Sequence, residues 1–202
     1  MMSKQFYIVL LISLWLTSCT VSKIYPIQFY EQHKGVLHET ERLYKQVTLN
    51  KSLAVAFNDL EFTNITLELK TDTVRYIYDF TFGEQRINDS LHKFGYDTSR
   101  VASIIKNMRV LRSTWINTLG YQVSGRNERL VFISAPVKQF SLFPLLQKRK
   151  YYLFHFYSQP QYYDEQGRLL QKKQLRQLRE INNETFRRIN DKVCYTISDK
   201  FR

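Results

Sequence analysis

The sequence predicts an α+β fold: an antiparallel sheet of about five or six strands, with helices packed on one side and a C-terminal amphipathic helix. Two kinds of periodicity support this prediction. Apolar and polar residues alternate in short segments separated by turn residues, which is typical of antiparallel strands. Elsewhere apolar residues recur every three or four positions over 97–111 and 170–193, as on one face of a helix.

The first half of the folded region predicts a helix followed by a three-stranded meander. The helix is expected over Tyr30–Val47, and the strands over residues 52–57, 62–69 and 74–82. Asn58-Asp59 and Thr71-Asp72 supply the turns between the strands. In the third strand one face is strongly aromatic, because its alternate positions are Val74, Tyr76, Tyr78, Phe80 and Phe82.

The second half predicts two helices, a hairpin, one further strand and a long final helix. Asp89-Ser90 is expected to cap a short helix that ends at Gly95, and Asp97 a longer one. The remaining elements are expected in this order: a hairpin of residues 115–124 and 130–135, a strand over 151–157, and the C-terminal helix over 170–193.

The length of 202 residues suits one folded domain preceded by a short leader. Residues 1–18 are predicted to be a signal peptide, residues 19–28 a lipidated tether and residues 29–202 a single globular domain. Pro26 disfavours helix within the tether. Removal of the leader leaves 184 residues and, because Lys4 is its only charged residue, lowers the net charge from +12 to +11.

The leader has the three zones of a secretory signal, in the expected order. A short segment carrying Lys4 precedes an apolar run over residues 6–16 that is interrupted only by Ser13. The run has eleven residues, whereas a helix needs roughly twenty to span the hydrocarbon core of a bilayer. It therefore fits a signal core better than a permanent membrane anchor.

Residues 16–19, Leu-Thr-Ser-Cys, complete this signal. They resemble the lipobox of bacterial lipoproteins, in which an apolar residue and two small residues precede a cysteine. The resemblance covers only residues 1–19. It implies a diacylglycerol thioether on Cys19, cleavage before Cys19 and acylation of the new amino terminus. Two or more acyl chains hold a protein stably on a membrane, whereas one chain holds it only marginally.

The class of partner expected for such a basic chain depends on the compartment in which the chain is located. A strongly basic domain often binds nucleic acid, but an exported lipoprotein meets little of it, so no nucleic-acid partner is expected. Anionic lipid, an acidic glycan or an acidic envelope protein is the alternative partner for the positive surface. A solvated charged surface with no specific partner explains the same composition.

The residue types that carry chemistry form no recognisable catalytic motif. His155 lies among Tyr151, Leu153 and Tyr157 on one strand face, and either lines a pocket or is a satisfied, half-buried histidine. Asp79 is either a shielded general acid or an outer-face carboxylate paired with a cation such as Arg75.

No cofactor and no metal is expected. The chain has no HExxH, CxxC, GxSxG, glycine-rich phosphate loop or EF-hand loop. Lipidation of Cys19 would leave Cys194 as a single thiol, and its apolar neighbours indicate a buried one.

One stretch combines apolar and basic residues in the way a membrane-surface contact requires. Phe140 and Phe143 precede Lys148-Arg149-Lys150. The surrounding segment, Arg129 to Tyr163, contains no acidic side chain. A tethered domain would use such a segment to contact anionic lipid or another anionic partner. The alternative is a core-packing loop with solvated cations, since apolar residues are mostly buried.

These patterns predict a lipid-anchored cell-envelope protein, acting as a non-enzymatic binding or assembly component, with an envelope hydrolase for glycan, peptide or lipid as the alternative. Residues 20–23 lack the aspartate that retains enterobacterial lipoproteins in the inner membrane. They also lack the acidic cluster associated with surface export in Bacteroides-type lipoproteins. By resemblance, the periplasmic face of an outer membrane is expected, with the inner membrane and the cell surface left open.

Overall fold

The computed structural model describes the backbone of residues 4–71, 73–123, 126–136, 151–158, 180–181, 184–185 and 187–198. Its side chains are described over the narrower ranges 24–71, 73–120, 129–135, 151–158 and 187–197. The chain divides into two units, residues 1–34 and 35–202, and each is described by itself.

The helices are α1 (Lys4–Val47), α2 (Gln85–Lys93) and α3 (Thr98–Val110). The strands are β1 (Ser52–Phe57), β2 (Asn64–Lys70), β3 (Arg75–Thr81), β4 (Trp115–Val123), β5 (Arg126–Pro136), β6 (Tyr151–Phe156), β7 (Glu180–Ile181), β8 (Glu184–Thr185), β9 (Arg187–Arg188) and β10 (Val193–Ser198).

The N-terminal unit is helical from residue 4 onward, so the expectation that Pro26 disfavours helix in this segment is wrong. Pro26 lies inside α1, where it lacks the N–H that would continue the helical hydrogen bonds. Side chains four residues apart support the helix around it. The rings of Tyr25 and Phe29 lie 6.2 Å apart, and those of Phe29 and His33 stack at 4.3 Å.

Within its described residues, the second unit is built on an antiparallel sheet of eight strands in the order β3-β2-β1-β4-β5-β6-β10-β9. Strands β1–β3 form one meander and β4–β6 a second, and the two are joined where β1 pairs with β4. A separate two-stranded sheet pairs β7 with β8. The α+β class and the antiparallel sheet are confirmed, but the predicted five or six strands are too few.

The apolar core lies between one face of the eight-stranded sheet and the helices. From α1, Tyr44 donates a hydrogen bond to the carbonyl of Leu53 on β1, and His38 meets the ring of Phe156 edge-on at 5.6 Å. Phe94, which ends α2, lies 4.8 Å from the ring of Tyr76 on β3. We call this the helix-covered face; its buried residues include Val55, Ile65, Leu67, Ile116, Ile133 and Phe154.

The two central helices differ in how well the sequence predicts their starts. The side chain of Asp97 accepts a hydrogen bond from the backbone N–H of Arg100, which confirms it as the cap of α3. Helix α2 instead starts at Gln85, so Asp89 lies inside it and is not its cap. The earlier start follows from Gly83, whose φ of 85° ends the preceding strand in a tight turn.

The predicted C-terminal amphipathic helix is wrong over the described part of its range. Residues 170–179, 182–183 and 186 lie outside the described residues, and the described residues from 180 to 193 form β7, β8, β9, a bend over residues 189–192 and the start of β10. Val193–Ser198 pairs with all six residues of β6. Its β-branched and aromatic residues suit a strand. The hydrogen bonds gained by pairing favour this strand over the helix that the apolar period ending at Val193 predicts.

Candidate functional site

His155 and Asp79 lie on the opposite face of the sheet from the helices, but on distant strands. Asp79 on β3 pairs with Thr66 on β2, at one end of the sheet. His155 on β6 pairs with Phe132 on β5, nearer the other end. Five strand intervals separate β3 from β6, and at about 4.8 Å each these amount to roughly 24 Å. The two residues therefore do not share a pocket.

His155 is a core residue, with only 5% of its surface exposed. Its Nε2 lies 3.2 Å from Oγ1 of Thr196 on β10, and the ring of Phe132 lies 6.3 Å away on β5. Burial lowers the pKa of His155 to about 4, because the charged imidazolium loses its hydration. At neutral pH this imidazole is uncharged and inaccessible to solvent, so it suits packing better than proton transfer.

Asp79 is an exposed carboxylate at the edge of the sheet. The hydroxyl of Thr66 donates to Asp79 at 2.5 Å, and the side-chain amide of Asn58 donates to that hydroxyl at 2.6 Å. The expected pairing of Asp79 with Arg75 is wrong, since the guanidinium of Arg75 contacts Glu68 at 2.5 Å. These short polar contacts order the edge of the sheet.

The thiol of Cys194 is buried, as its apolar neighbours indicate. Burial raises the pKa of Cys194 to about 12, although a hydrogen bond to the hydroxyl of Tyr157, 3.7 Å from Sγ, works in the opposite direction. A nucleophilic cysteine must be present as the thiolate in an exposed, electropositive setting. Cys194 has neither property, and it acts as a small apolar core residue.

A shallow cleft of about 200 Å³ lies where β1, β2 and the end of α2 meet. Lys51 lies in its wall, but its ammonium donates to the carbonyls of Phe94 and Gly95 at 2.6 and 3.0 Å and lies 5.3 Å from the ring centroid of Tyr96. It thereby binds carbonyls left free at the end of α2. The volume is below the 300–1,000 Å³ typical of small-molecule sites.

The side chains of the other sequence-predicted site residues lie outside the described ones. Cys19 lies within α1, and its side chain is outside the described residues. The five residues proposed for membrane or anionic-partner contact, Phe140, Phe143, Lys148, Arg149 and Lys150, also lie outside them. Among the side chains described, no three His, Cys, Asp or Glu residues are grouped so as to hold a metal ion. Nor, within those limits, does any helix combine the length and apolar character of a membrane span.

Comparison of the chain with protein families, curated proteins and solved structures found no match.

Sequence reasoning missed that β3 lies at the end of the sheet. In the part of the chain that the structure describes, β3 pairs with β2 on one side and has no strand on the other. The alternating pattern of residues 74–82 predicted a strand, but it carried no information on whether that strand would be central or terminal in the sheet. We call the outward-facing backbone groups of Arg75, Ile77 and Asp79 the β3 edge.

Proposed function

We propose that this chain is a lipid-anchored cell-envelope protein that acts as a binding or assembly component. The observation that carries the proposal is the signal ending at residues 16–19, Leu-Thr-Ser-Cys, with its charged start and eleven-residue apolar run. Its lipid is attached to Cys19, and its location is the periplasmic face of an outer membrane. Several acyl chains on Cys19 would hold the domain stably on the bilayer.

Among the described residues, the geometry gives no support to the alternative of an envelope hydrolase. That alternative needs His155 or Asp79 at a site open to substrate. His155 is 5% exposed and uncharged at neutral pH, and Asp79 lies roughly 24 Å from it along the sheet. The binding or assembly role is therefore the one that we carry forward.

The anchor is tested by mass spectrometry of the N-terminal peptide and by metabolic labelling with a palmitate analogue. We expect label in the native chain and in Cys194→Ala, and none in Cys19→Ala. The Cys194→Ala variant is the matched control, since it removes the other cysteine of the chain. An unlabelled native chain that keeps residues 1–18 would contradict the proposal, as would label that persists in Cys19→Ala.

The location is tested separately from the modification. We expect the lipidated chain in the outer-membrane fraction of a density gradient, and we expect it to resist protease in intact cells but not in cells with a permeabilised outer membrane. Digestion in intact cells would place it on the cell surface. Recovery in the inner-membrane fraction would contradict the assignment to the outer membrane.

A second contact with the membrane is proposed for Phe140, Phe143, Lys148, Arg149 and Lys150. Apolar side chains beside basic ones suit an anionic lipid surface, where each basic residue contributes about 1 kcal/mol. Replacing the three basic residues with glutamate should therefore weaken binding to vesicles that contain anionic lipid by about a hundredfold or more. Flotation of residues 19–202 carrying Cys19→Ala with such vesicles measures this, because that chain lacks both the lipid and the apolar run of residues 6–16.

The matched control places the same charge change elsewhere on the chain. Lys70, Lys93 and Lys106 are exposed lysines of the folded domain. Their triple replacement with glutamate lowers the net charge by the same amount. Equal loss of vesicle binding in both triple variants would show that net charge alone is responsible, and would refute the assigned contact.

A further inference from the structure

The β3 edge consists of backbone groups that are free of hydrogen bonds within the described structure. At one end of the strand Thr71 N–H donates to the carbonyl of Val74, and at the other Phe82 N–H donates to the carbonyl of Thr63, so the even-numbered residues of β3 bond to β2. The N–H and C=O groups of odd-numbered residues point outward. Those of Thr81 bond to Glu84.

The free N–H and C=O groups therefore belong to Arg75, Ile77 and Asp79. Arg75 and Asp79 lie two residues before and two residues after Ile77, so the set is centred on Ile77. Their side chains are exposed, and 58% of the Ile77 side chain is open to solvent. Proteins usually protect such edges with charged side chains, proline, a bulge or a covering element. Strand β3 has no proline, and it pairs with β2 over seven consecutive residues without a bulge.

The charges on this edge are complementary to themselves. When a second β3 runs antiparallel with Ile77 opposite its own copy, Arg75 of each chain lies opposite Asp79 of the other. Tyr76 then lies opposite Tyr78 on the other face, and aromatic and opposite-charge cross-strand pairs both stabilise antiparallel strands. In this register all three outward-facing residues form hydrogen-bonded pairs, with about six N–H···O=C bonds in total.

The neighbouring register centred on Tyr78 is less favourable. Centring the pair on Tyr78 would place Arg75 opposite Thr81, whose N–H and carbonyl are already bonded to Glu84. It would also place Asp79 opposite the apolar Ile77. Of these two alignments, the free hydrogen-bonding groups and the charges both favour the one centred on Ile77.

We propose that two copies of this chain pair through the β3 edge, antiparallel and centred on Ile77, so that their sheets join into one continuous sheet across a two-fold axis. The occupant is a second copy because the edge supplies, from one set of residues, both partners of each ion pair. This inference goes beyond the proposed function: the edge belongs to the folded domain, and the anchor bears only on how fully the pairs are populated.

The first test is disulfide cross-linking of the full chain in its native membrane. In the proposed alignment the two copies of residue 77 have Cα atoms about 5.5 Å apart, within the range of a disulfide. We expect Ile77→Cys to form a covalent dimer under mild oxidation. Thr81→Cys is the matched control, because it is exposed on the same face of β3 but lies many residues from its own copy. Equal cross-linking of both variants would refute the register.

The second test exchanges the charges. Arg75→Asp carries two acidic residues on the edge and Asp79→Arg carries two basic ones, so each variant repels its own copy while the two complement each other. With two different affinity tags, we expect each variant to lose self-association about tenfold and the mixture to recover it. Circular dichroism checks that both variants fold.

Each outcome decides the proposal. Recovery in the mixture, together with cross-linking at residue 77, supports pairing of two copies. Unchanged self-association in the single variants, or no recovery in the mixture, overturns it. Cross-linking of Ile77→Cys to a different protein in the membrane would assign the edge to another partner and would also overturn it. None of these results bears on lipidation of Cys19, which the labelling experiment tests alone.

Discussion

Replacing His155 with glutamine should remove much of the acid sensitivity of this fold. His155 is buried, and burial lowers its pKa to about 4 from an ordinary value of 6.5. The unfolded chain therefore binds a proton between pH 6.5 and pH 4 that the folded chain does not bind. Stability from this group is fully present above about pH 6.5, falls as the pH is lowered, and levels off below about pH 4.

The size of the effect follows from the same two pKa values. A tenfold change in proton affinity is worth about 1.4 kcal/mol, so protonation of the unfolded chain lowers the free energy of unfolding by about 3 kcal/mol between neutral pH and pH 4. Glutamine is uncharged throughout this range and retains an amide able to contact Thr196, which lies 3.2 Å from His155 Nε2. The variant should therefore lose the part of the pH dependence of its unfolding free energy that comes from His155.

The assay is denaturant unfolding of the full chain in detergent, followed by tryptophan fluorescence at several pH values between 4 and 8. The readout is the change of the free energy of unfolding with pH, since glutamine also alters packing at every pH. His92→Gln serves as the control, because His92 is exposed on α2 and its removal leaves the buried imidazole in place. An unchanged slope in His155→Gln, or an imidazole that titrates near pH 6.5 in the folded protein by NMR, would refute the reasoning.

Three further predictions test local features of the domain. Cys194, with its pKa raised to about 12 by burial, should resist iodoacetamide at pH 8 until denaturant is added, as peptide mass spectrometry would show; rapid alkylation of the folded chain contradicts this. Asp97→Ala should lower the free energy of unfolding by about 1 kcal/mol through loss of the bond from Arg100 N–H, with a smaller loss for Asp97→Asn; equal losses would argue against the cap. Slight burial raises the pKa of Asp59, but hydrogen bonds from Thr63 and its neighbours outweigh this and hold the pKa below its usual value. Stability from Asp59 should thus be lost as the pH falls through that lowered pKa, and pH-dependent unfolding of Asp59→Ala should lack this component.

Local patterns predicted the first meander because each of its signals is contained within a few residues. The predicted strand at residues 52–57 matches β1, and the two that follow differ from β2 and β3 by one or two residues at their ends. The aromatic alternation in β3 reflects the different environments of its two faces, since Tyr76 packs against Phe94 while Ile77 is exposed. A strand with one buried face has to alternate, whatever its neighbours are.

The C-terminal strands were not predictable in this way, because their partner is distant in sequence. Val193–Ser198 bonds to β6, about forty residues earlier, and no local period reports that pairing. The same reason separates His155 from Asp79: strand order decides which side chains meet, and it depends on long-range register. Burial of His155 between β5 and β10 was likewise beyond a reading of residues 151–157 alone.

A lipid anchor and a self-complementary edge would both favour the association of two copies of the chain. About six backbone hydrogen bonds, each worth about 1 kcal/mol net, oppose the roughly 4–15 kcal/mol lost when two free molecules give up their independent motion. Pairing through β3 alone is therefore weak in dilute solution. The proposed attachment at Cys19 would confine both copies to a membrane surface, which would raise their effective concentration before any contact is made. A contact too weak to detect with the unlipidated chain can then be well populated on the membrane, so cross-linking at residue 77 in native membranes is the decisive measurement.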